Sequence, residues 1–479
     1  MSILNLEPKE IWKNFNNLNA IPRASKKEKQ ITAFMKSFGD SLGLETTVDE
    51  MGNVLIRKAA SVGMNERRTV ILQSHLDMVC QKNSETKFDF DTDKIQTVID
   101  NEWVRADGTT LGADNGIGVA TIMAILESKS IVHPALEALF TVDEETGMTG
   151  AFGLKPGFLK GDILLNLDTE EDDEITIGCA GGIDVTASQE FSVKESIGEG
   201  VLIEIKGLRG GHSGVDIHEG RGNANVILGR LLYSGINNGI QLGMIDAGGL
   251  RNAIPREASA YMIVSDKDSF LLGLESLKAS ILAEYKNVEK GLEIKFSVIN
   301  KKEQVIGVVE SIRFIQALVA AHNGVFRMSP DVAGLVEASN NIARVSLANG
   351  KATIMCLTRS SVESTKTAIV NQLQSSFELA GMDVLFSGAY PGWKPNPDAG
   401  ILTVMEQIYT RKFNNSPRVD VIHAGLECGI IGAHYPHMEM VSFGPTIKGA
   451  HSPEERVNIK SVQKFWSYLL EILKEIPLK

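Results

Sequence analysis

Cysteine is scarce and scattered. Four residues, Cys80, Cys179, Cys356 and Cys428, are spread over 479 positions without any CxxC spacing, which excludes a disulfide framework or a zinc ribbon and fits a reducing compartment. Long apolar runs are missing too: the most hydrophobic stretches, such as 116–126, are too short to cross a bilayer. Basic charge is in deficit, with 48 Lys and Arg against 60 Asp and Glu. Neither nucleic acid nor an anionic membrane is therefore an expected partner. The opening residues, MSILNLEPKEIWKNF, form an amphipathic helical pattern broken by charge, so no signal peptide is expected. No low-complexity segment or short repeat period is present. What these absences leave is a cytoplasmic protein that acts on a small molecule.

The composition that remains, 43% hydrophobic and 23% charged, is ordinary for a globular chain. Its length exceeds what one hydrophobic core usually supports, so two domains are expected. Residues 68–73 (RTVILQ) form a short β-branched run that ends in Ser74-His75-Leu76-Asp77. Residues 135–142 (ALEALFTV) end in Asp143-Glu144-Glu145, 162–167 (DILLNL) end in Asp168, and 116–128 is a helix-length apolar run. Buried strands alternating with helices predict an α/β layer with a largely parallel sheet. Ligands of such sheets bind outside the carboxyl ends of the strands, where these acids and His75 cluster.

From about residue 183 the pattern changes to amphipathic strands and helices in two related halves, as in an inserted α+β domain. The Pro- and Gly-bearing stretch YPGWKPNP, from Tyr390, predicts the hinge by which the chain returns. The expected division is 1–184 with 390–479 as one discontinuous domain and 185–389 as the insertion.

His75-x-Asp77 suits a metal-bound imidazole oriented by a carboxylate, although a satisfied polar pair would look the same. Gly112-Ala113-Asp114-Asn115-Gly116 reads as an Asx turn or helix cap, or as a carboxylate shared by two ions. Two cations about 3.5 Å apart need a bridging anion. In Asp143-Glu144-Glu145, adjacent residues leaving a strand point apart, so one glutamate can bind metal while its neighbour takes a proton from water. A solvated acidic loop is the alternative there. Asp168 is a natural ligand, and the acids from Glu170 to Glu174 are expected to be a solvated loop.

In order, His75-x-Asp77, Gly-Ala-Asp114-Asn, Glu144-Glu145, Asp168 and the late His451-Ser resemble the M20 family of dinuclear zinc peptidases. Within it they resemble the branch that hydrolyses Xaa-His dipeptides, carnosine-like substrates included. SHLDMV, TTLGADNG, DEETGM, NLDTEE, GGHSG, RNAIPREA and GAHSPEER carry the likeness over essentially the full length. The resemblance implies an α/β zinc-peptidase catalytic domain with a mixed, largely parallel sheet, interrupted by an inserted α+β lid domain. It implies that Asp114 bridges two divalent ions, most naturally Zn2+ with Co2+ or Mn2+ able to substitute. His75 and Asp168 would complete one site, and Glu145 and His451 the other. Asp77 would orient His75, and Glu144 would act as general acid and base on the water between the ions.

In the lid, the family places a histidine at the Gly210-Gly211-His212-Ser213-Gly214 motif to stabilise an oxyanion, though a tight turn would read the same. Asn252, within Arg251-Asn252-Ala253-Ile254-Pro255, is a substrate contact by the same resemblance. Arg359 has the fork geometry for a peptide carboxylate, with an exposed salt bridge as its alternative. His423 resembles a substrate-side loop residue of the catalytic domain, and His218 carries no assignment. The implied partner is a small peptide, and a homodimer through the lid is implied from family habit. Two rivals stand: a related M20 metallohydrolase acting on tripeptides or N-acyl amino acids, and, in another class, a non-catalytic metal-binding or interaction protein.

Overall fold

A computed structural model describes residues 2–479 of the chain. Two compact units form: Met1–Gly178 with Pro395–Val421 and Leu426–Lys479, and Cys179–Lys394 with Ile422–Gly425.

The first unit is built on an eight-stranded sheet in the order Glu45–Val48, Val54–Lys58, Leu136–Thr141, Val70–His75, Ile163–Asn166, Glu439–Ser442, Glu174–Cys179, Arg418–Ile422. Leu136–Thr141, Val70–His75, Ile163–Asn166 and Glu439–Ser442 run parallel, with antiparallel neighbours on either side. Every residue of the first three is buried, so these strands read as continuous apolar runs and not as alternating ones. The runs expected at 68–73, 135–142 and 162–167 all become strands, within two residues of the expected ends. Their register pairs His75 with Thr141 and Gln73 with Asn166, which brings three chain segments out at one edge of the sheet.

The helix Ala113–Glu127 is buried almost throughout and packs on Val70–His75 and on Lys9–Leu18. Lys9–Leu18 turns Ile11, Trp12, Phe15 and Leu18 inward, the stripe of an amphipathic helix. Gly118 decides how close the buried helix comes to the strand ends. A Cβ there would stand 2.4 Å from Ser74 Oγ and 2.7 Å from the Leu167 carbonyl oxygen. A small antiparallel sheet of Thr97–Asp100, Trp103–Ala106, Arg456–Asn458 and Ile447–Lys448, not anticipated from the sequence, holds the ends of the loop 449–455 that carries His451.

In the second unit one topology is used twice. Val193–Lys206, the helix Ala224–Tyr233, Gln241–Gly248, Ala258–Ile263, the helix Lys267–Tyr285 and Glu293–Ile306 form a βαββαβ half. Gly181–Glu190, the helix Val308–Ala320, Val336–Ala348, Lys351–Ser360, the helix Glu363–Leu379 and Asp383–Tyr390 repeat it. Each half has its strands in the order fourth, first, third, second, and the two second strands meet antiparallel from Ile245↔Leu347 to Gly248↔Arg344. Gly181–Glu190 and Gln241–Gly248 were not read from the sequence, because glycines at 181, 182, 243 and 248 break their patterns. Among the described residues no helix is long and apolar enough to cross a membrane.

Gly118→Ala should force the helix off the strand ends and lower unfolding free energy by about 1–3 kcal/mol, as overpacking does. Urea denaturation checks this, and an unchanged midpoint would show that the close approach is not limiting.

Candidate metal centre

The shared edge of the parallel strands delivers the charged groups. Val70–His75 ends in His75, Leu136–Thr141 leads through Asp143 into the short helix Glu144–Gly147, and Ile163–Asn166 leads to Asp168. Asp114 stands at the start of the buried helix but keeps a non-helical backbone (φ -80°, ψ 111°).

Asp114 is the hub of the cluster. Its Oδ1 lies 3.1 Å from His75 Nε2, and its Oδ2 lies 3.1 Å from His451 Nε2. Asp168 Oδ1 is 3.4 Å from His75 Nε2, and Glu145 Oε2 is 3.0 Å from His451 Nε2. The donors therefore sort into two sets, His75 with Asp168 and His451 with Glu145, and each uses a different oxygen of Asp114. Each imidazole nitrogen faces two carboxylate oxygens but can offer only one proton, and Glu145 Oε1 is buried with no partner. Nitrogen and carboxylate donors gathered in this way fit a pair of divalent cations.

The electrostatics call for positive charge at both positions. Burial alone would lower the pKa of His75, yet Asp168, Asp114 and Asp77 hold it well above its ordinary range. Hydrogen bonds to Asp114 and Glu145 push His451 up to about 11. Burial of Asp114 is outweighed by His451 and His75, which depress its carboxyl. Glu144 moves the other way: burial raises it well above the usual carboxylate range, with Asp168, Glu427 and Glu145 adding to the effect.

Asp77 is fully buried and does more than face His75. Its Oδ1 is 3.4 Å from His75 Nδ1 and accepts the Glu144 N–H at 3.0 Å, while Oδ2 accepts the Glu145 N–H at 3.2 Å and the Ser25 hydroxyl at 2.8 Å. One carboxylate thus fixes an imidazole and the backbone of both glutamates.

Three further residues escaped the sequence. Asn115 donates its side-chain amide to the Leu167 carbonyl at 2.7 Å and to Asp168, which seats that carboxylate. Its signal lay within the GADNG motif. Glu170, expected in a solvated loop, is instead half-buried; burial first, then Asp114 and Asp168, push its carboxyl up to about 8. Glu427 is fully buried beside the strand ends. It accepts Thr141 Oγ1 at 2.6 Å and Gln73 Nε2 at 2.7 Å, and burial raises it to about 8. No local pattern marks either burial.

The other named residues collect in the second unit. His212 pairs with Ala253, and its Nδ1 accepts the N–H groups of Gly214 and Val215 at 3.2 and 3.0 Å. That leaves the proton of a neutral imidazole on Nε2, and burial followed by the Arg359 charge lowers the pKa of His212. Arg359 is buried, not an exposed salt-bridge partner: Nη1 donates to the Tyr390 hydroxyl at 2.9 Å and Nε has no partner. His423 falls in a segment that belongs to this unit and not, as expected, to the first. It is buried with Nε2 2.8 Å from Ser339 Oγ; burial, then Arg359, His212 and His218, bring it down to about 3. Gly214 permits this gathering, since a Cβ there would stand 2.1 Å from the His423 carbonyl oxygen. The Asn252 side chain is exposed, and its backbone carbonyl accepts the Ser213 N–H at 2.8 Å.

Parallel strands ending in a cluster of acids and imidazoles suit metal-assisted hydrolysis, and residues 71–475 match Peptidase family M20/M25/M40. The chain belongs to this family of peptidases, as its motifs led one to expect. It is 45% identical to the cytosol non-specific dipeptidase of Escherichia coli (strain K12), over 99% of each chain. It is 43% identical to the aminoacylhistidine dipeptidase of Vibrio alginolyticus, whose crystal structure it matches with a TM-score of 0.95 over 100% of this chain and 99% of that one. A tripeptidase of Staphylococcus aureus, 17% identical with a TM-score of 0.57 over 98% of this chain and 99% of that one, shares the fold.

His423 is held neutral in the fold, whereas the unfolded chain takes up its proton near pH 6.5. Stability contributed by the neutral ring is present above that pH and lost as pH falls toward the folded value. His423→Gln should therefore flatten the acid loss of stability by about 1.4 kcal/mol per pH unit between about pH 6 and about pH 4. Parallel urea titrations of both proteins give the slopes, and identical slopes would rule out a neutral buried His423.

Proposed function

We propose that the chain is a two-metal dipeptidase of the cytosol that cleaves unmodified dipeptides, Xaa-His and carnosine-like ones among them. The observation that carries this reading is Asp114, whose two oxygens each face a different histidine at 3.1 Å. His75 and Asp168 would hold one ion, His451 and Glu145 the other, and Asp114 both. Zn2+ suits this donor set, and Co2+ or Mn2+ would be accepted because affinity discriminates poorly among divalent ions. A divalent pair held there lowers the pKa of water and polarises a carbonyl.

Every other task falls to side chains. Glu144, acting as the carboxylate, takes the proton of the attacking water and returns it to the departing amine; a raised pKa favours holding that proton between the two steps. Asp77 keeps His75 and the Glu144 backbone in register with each other. His212, with its proton on Nε2, is the donor for the oxyanion. Arg359, with a buried unpartnered Nε and with His423 and His212 near enough to feel its charge, takes the substrate's free carboxylate, and Asn252 is a further substrate contact. The unit from Cys179 to Lys394 acts as the lid. The two relatives named as dipeptidases support the substrate class and, in one case, the cytosol. A homodimer through the lid belongs to the same reading, supported by Leu385 and Phe386 exposed on the edge strand Asp383–Tyr390; light scattering gives the mass.

Glu144→Gln should cut turnover by about 100- to 10,000-fold with metal content unchanged. Hydrolysis assays paired with elemental analysis test this, and retained turnover would favour a non-catalytic metal-binding protein. Arg359→Met should raise KM for dipeptides at least tenfold and abolish the preference for a free dipeptide over its C-terminal amide. Rates on Xaa-His dipeptides, tripeptides and N-acyl amino acids, with and without chelator, complete the test. Faster cleavage of the N-acyl compounds would replace the dipeptidase assignment.

A further inference from the structure

We infer that Glu455, acting with Arg23, is a positioning residue that sets the His451 half of the metal centre. The inference rests on the two-metal reading above and concerns what holds the ligands in place.

Glu455 is 2% exposed, and four successive backbone N–H groups converge on its carboxylate. Oε2 accepts Leu111 at 2.7 Å and Gly112 at 3.0 Å; Oε1 accepts Ala113 at 2.7 Å and Asp114 at 3.2 Å. These amides lie where the chain turns into the buried helix Ala113–Glu127, a turn that is non-helical at Asp114 and Asn115 and has no side-chain cap at Gly112. Backbone N–H groups without helical carbonyl partners favour an anion there. The anion comes from the loop that carries His451, so one side chain joins the Asp114 turn to the His451 loop.

Arg23, 3% exposed, holds the same turn from its other side. Nη2 donates to the Gly112 carbonyl at 2.6 Å, and Nη1 donates to the carbonyls of Leu76 and Asp77 at 3.2 Å each. The peptide groups around Gly112 are thus gripped through their carbonyl by a cation and through their amides by an anion. Three segments, those of His75, Asp114 and His451, are tied together by backbone bonds to two buried charges.

His451 needs such an anchor more than the other ligands do. Its backbone lies in the left-handed region at φ 63°, unfavourable for a residue with a Cβ, and its side chain is half exposed. The turn around it is closed by Ser452 Oγ on the Gly449 carbonyl at 2.7 Å and by the Glu455 N–H on the Ser452 carbonyl at 3.0 Å. Glu455 fixes the far end of that turn. Gln at 455 would keep one acceptor oxygen and turn an NH2 group toward two N–H groups.

Titrating metal-free protein with Zn2+ in a calorimeter, and with Co2+ while recording its visible absorption, tests the inference. Wild type should take two ions. Glu455→Gln should bind the His75 and Asp168 ion normally and the other about 10- to 100-fold more weakly, as loss of an orienting partner does. On a His451→Ala background it should add nothing further. Glu137→Gln, which removes a carboxylate bonded to the Lys160 and Gly161 amides away from the cluster, should lower stability and leave both ions bound. If Glu455→Gln fails to fold, Ser452→Ala should weaken the same single ion to a lesser degree. Two ions bound at wild-type strength in the variant, or an equal weakening of both, would overturn the positioning role. Wild type that fails to take two ions would instead overturn the metal assignment beneath it.

Discussion

The first unit concentrates negative charge where water is scarce, and much of its architecture answers that constraint. Asp77, Asp114, Glu144, Glu145, Asp168, Glu170, Glu427 and Glu455 lie in one network of mutual influence with two imidazoles and a single guanidinium. Two like charges at about 4 Å repel by about 4 kcal/mol at the effective dielectric of a protein surface. The molecule answers differently at each acid. Asp77 and Glu455 are met by backbone amides, Glu427 by a hydroxyl and an amide, and Asp114 by two imidazoles. Among the acids with proposed metal roles, Asp114 and Glu145 meet imidazoles and no neutral donor, so occupation by cations would add directly to the stability of this edge of the sheet.

The parallel sheet is what makes so dense a cluster possible. Strands in register end together, and the residues just past their ends share a small volume without long loops to hold them. That economy also made the cluster readable: short apolar runs, each closing on His75, on Glu144-Glu145 or on Asp168, announce both the strands and the edge at which chemistry gathers. The helix Ala113–Glu127 was equally plain because it is apolar on all sides.

What stayed hidden shares one physical character, dependence on a partner far away in the chain. Nothing near Arg23 marks it as a buried cation, because its acceptors are carbonyls more than fifty positions on. Glu427 reads as a surface acid until Gln73 and Thr141 close over it. His423 takes its environment from Arg359 and Ser339, and its apparent membership of the first unit followed from sequence order alone. Glycine accounts for the missed strands: Gly181–Glu190 opens on two glycines and Gln241–Gly248 contains two, yet each pairs along much of its length. Local pattern reports on burial by neighbours close in sequence and is silent on burial by the rest of the molecule.

The doubled topology of the second unit has a temporal side. Gly181–Glu190 is made before the whole of the first βαββαβ half, yet both strands it pairs with lie beyond residue 350. As the chain leaves the ribosome, this strand must wait with both edges open while the half that follows it is completed. The central sheet of the first unit waits longer, since Glu439–Ser442 and the loop bearing His451 come after the entire insertion. A growing chain therefore carries an unfinished acid cluster from Asp168 until His451, and the group that closes it is made only after the whole insertion.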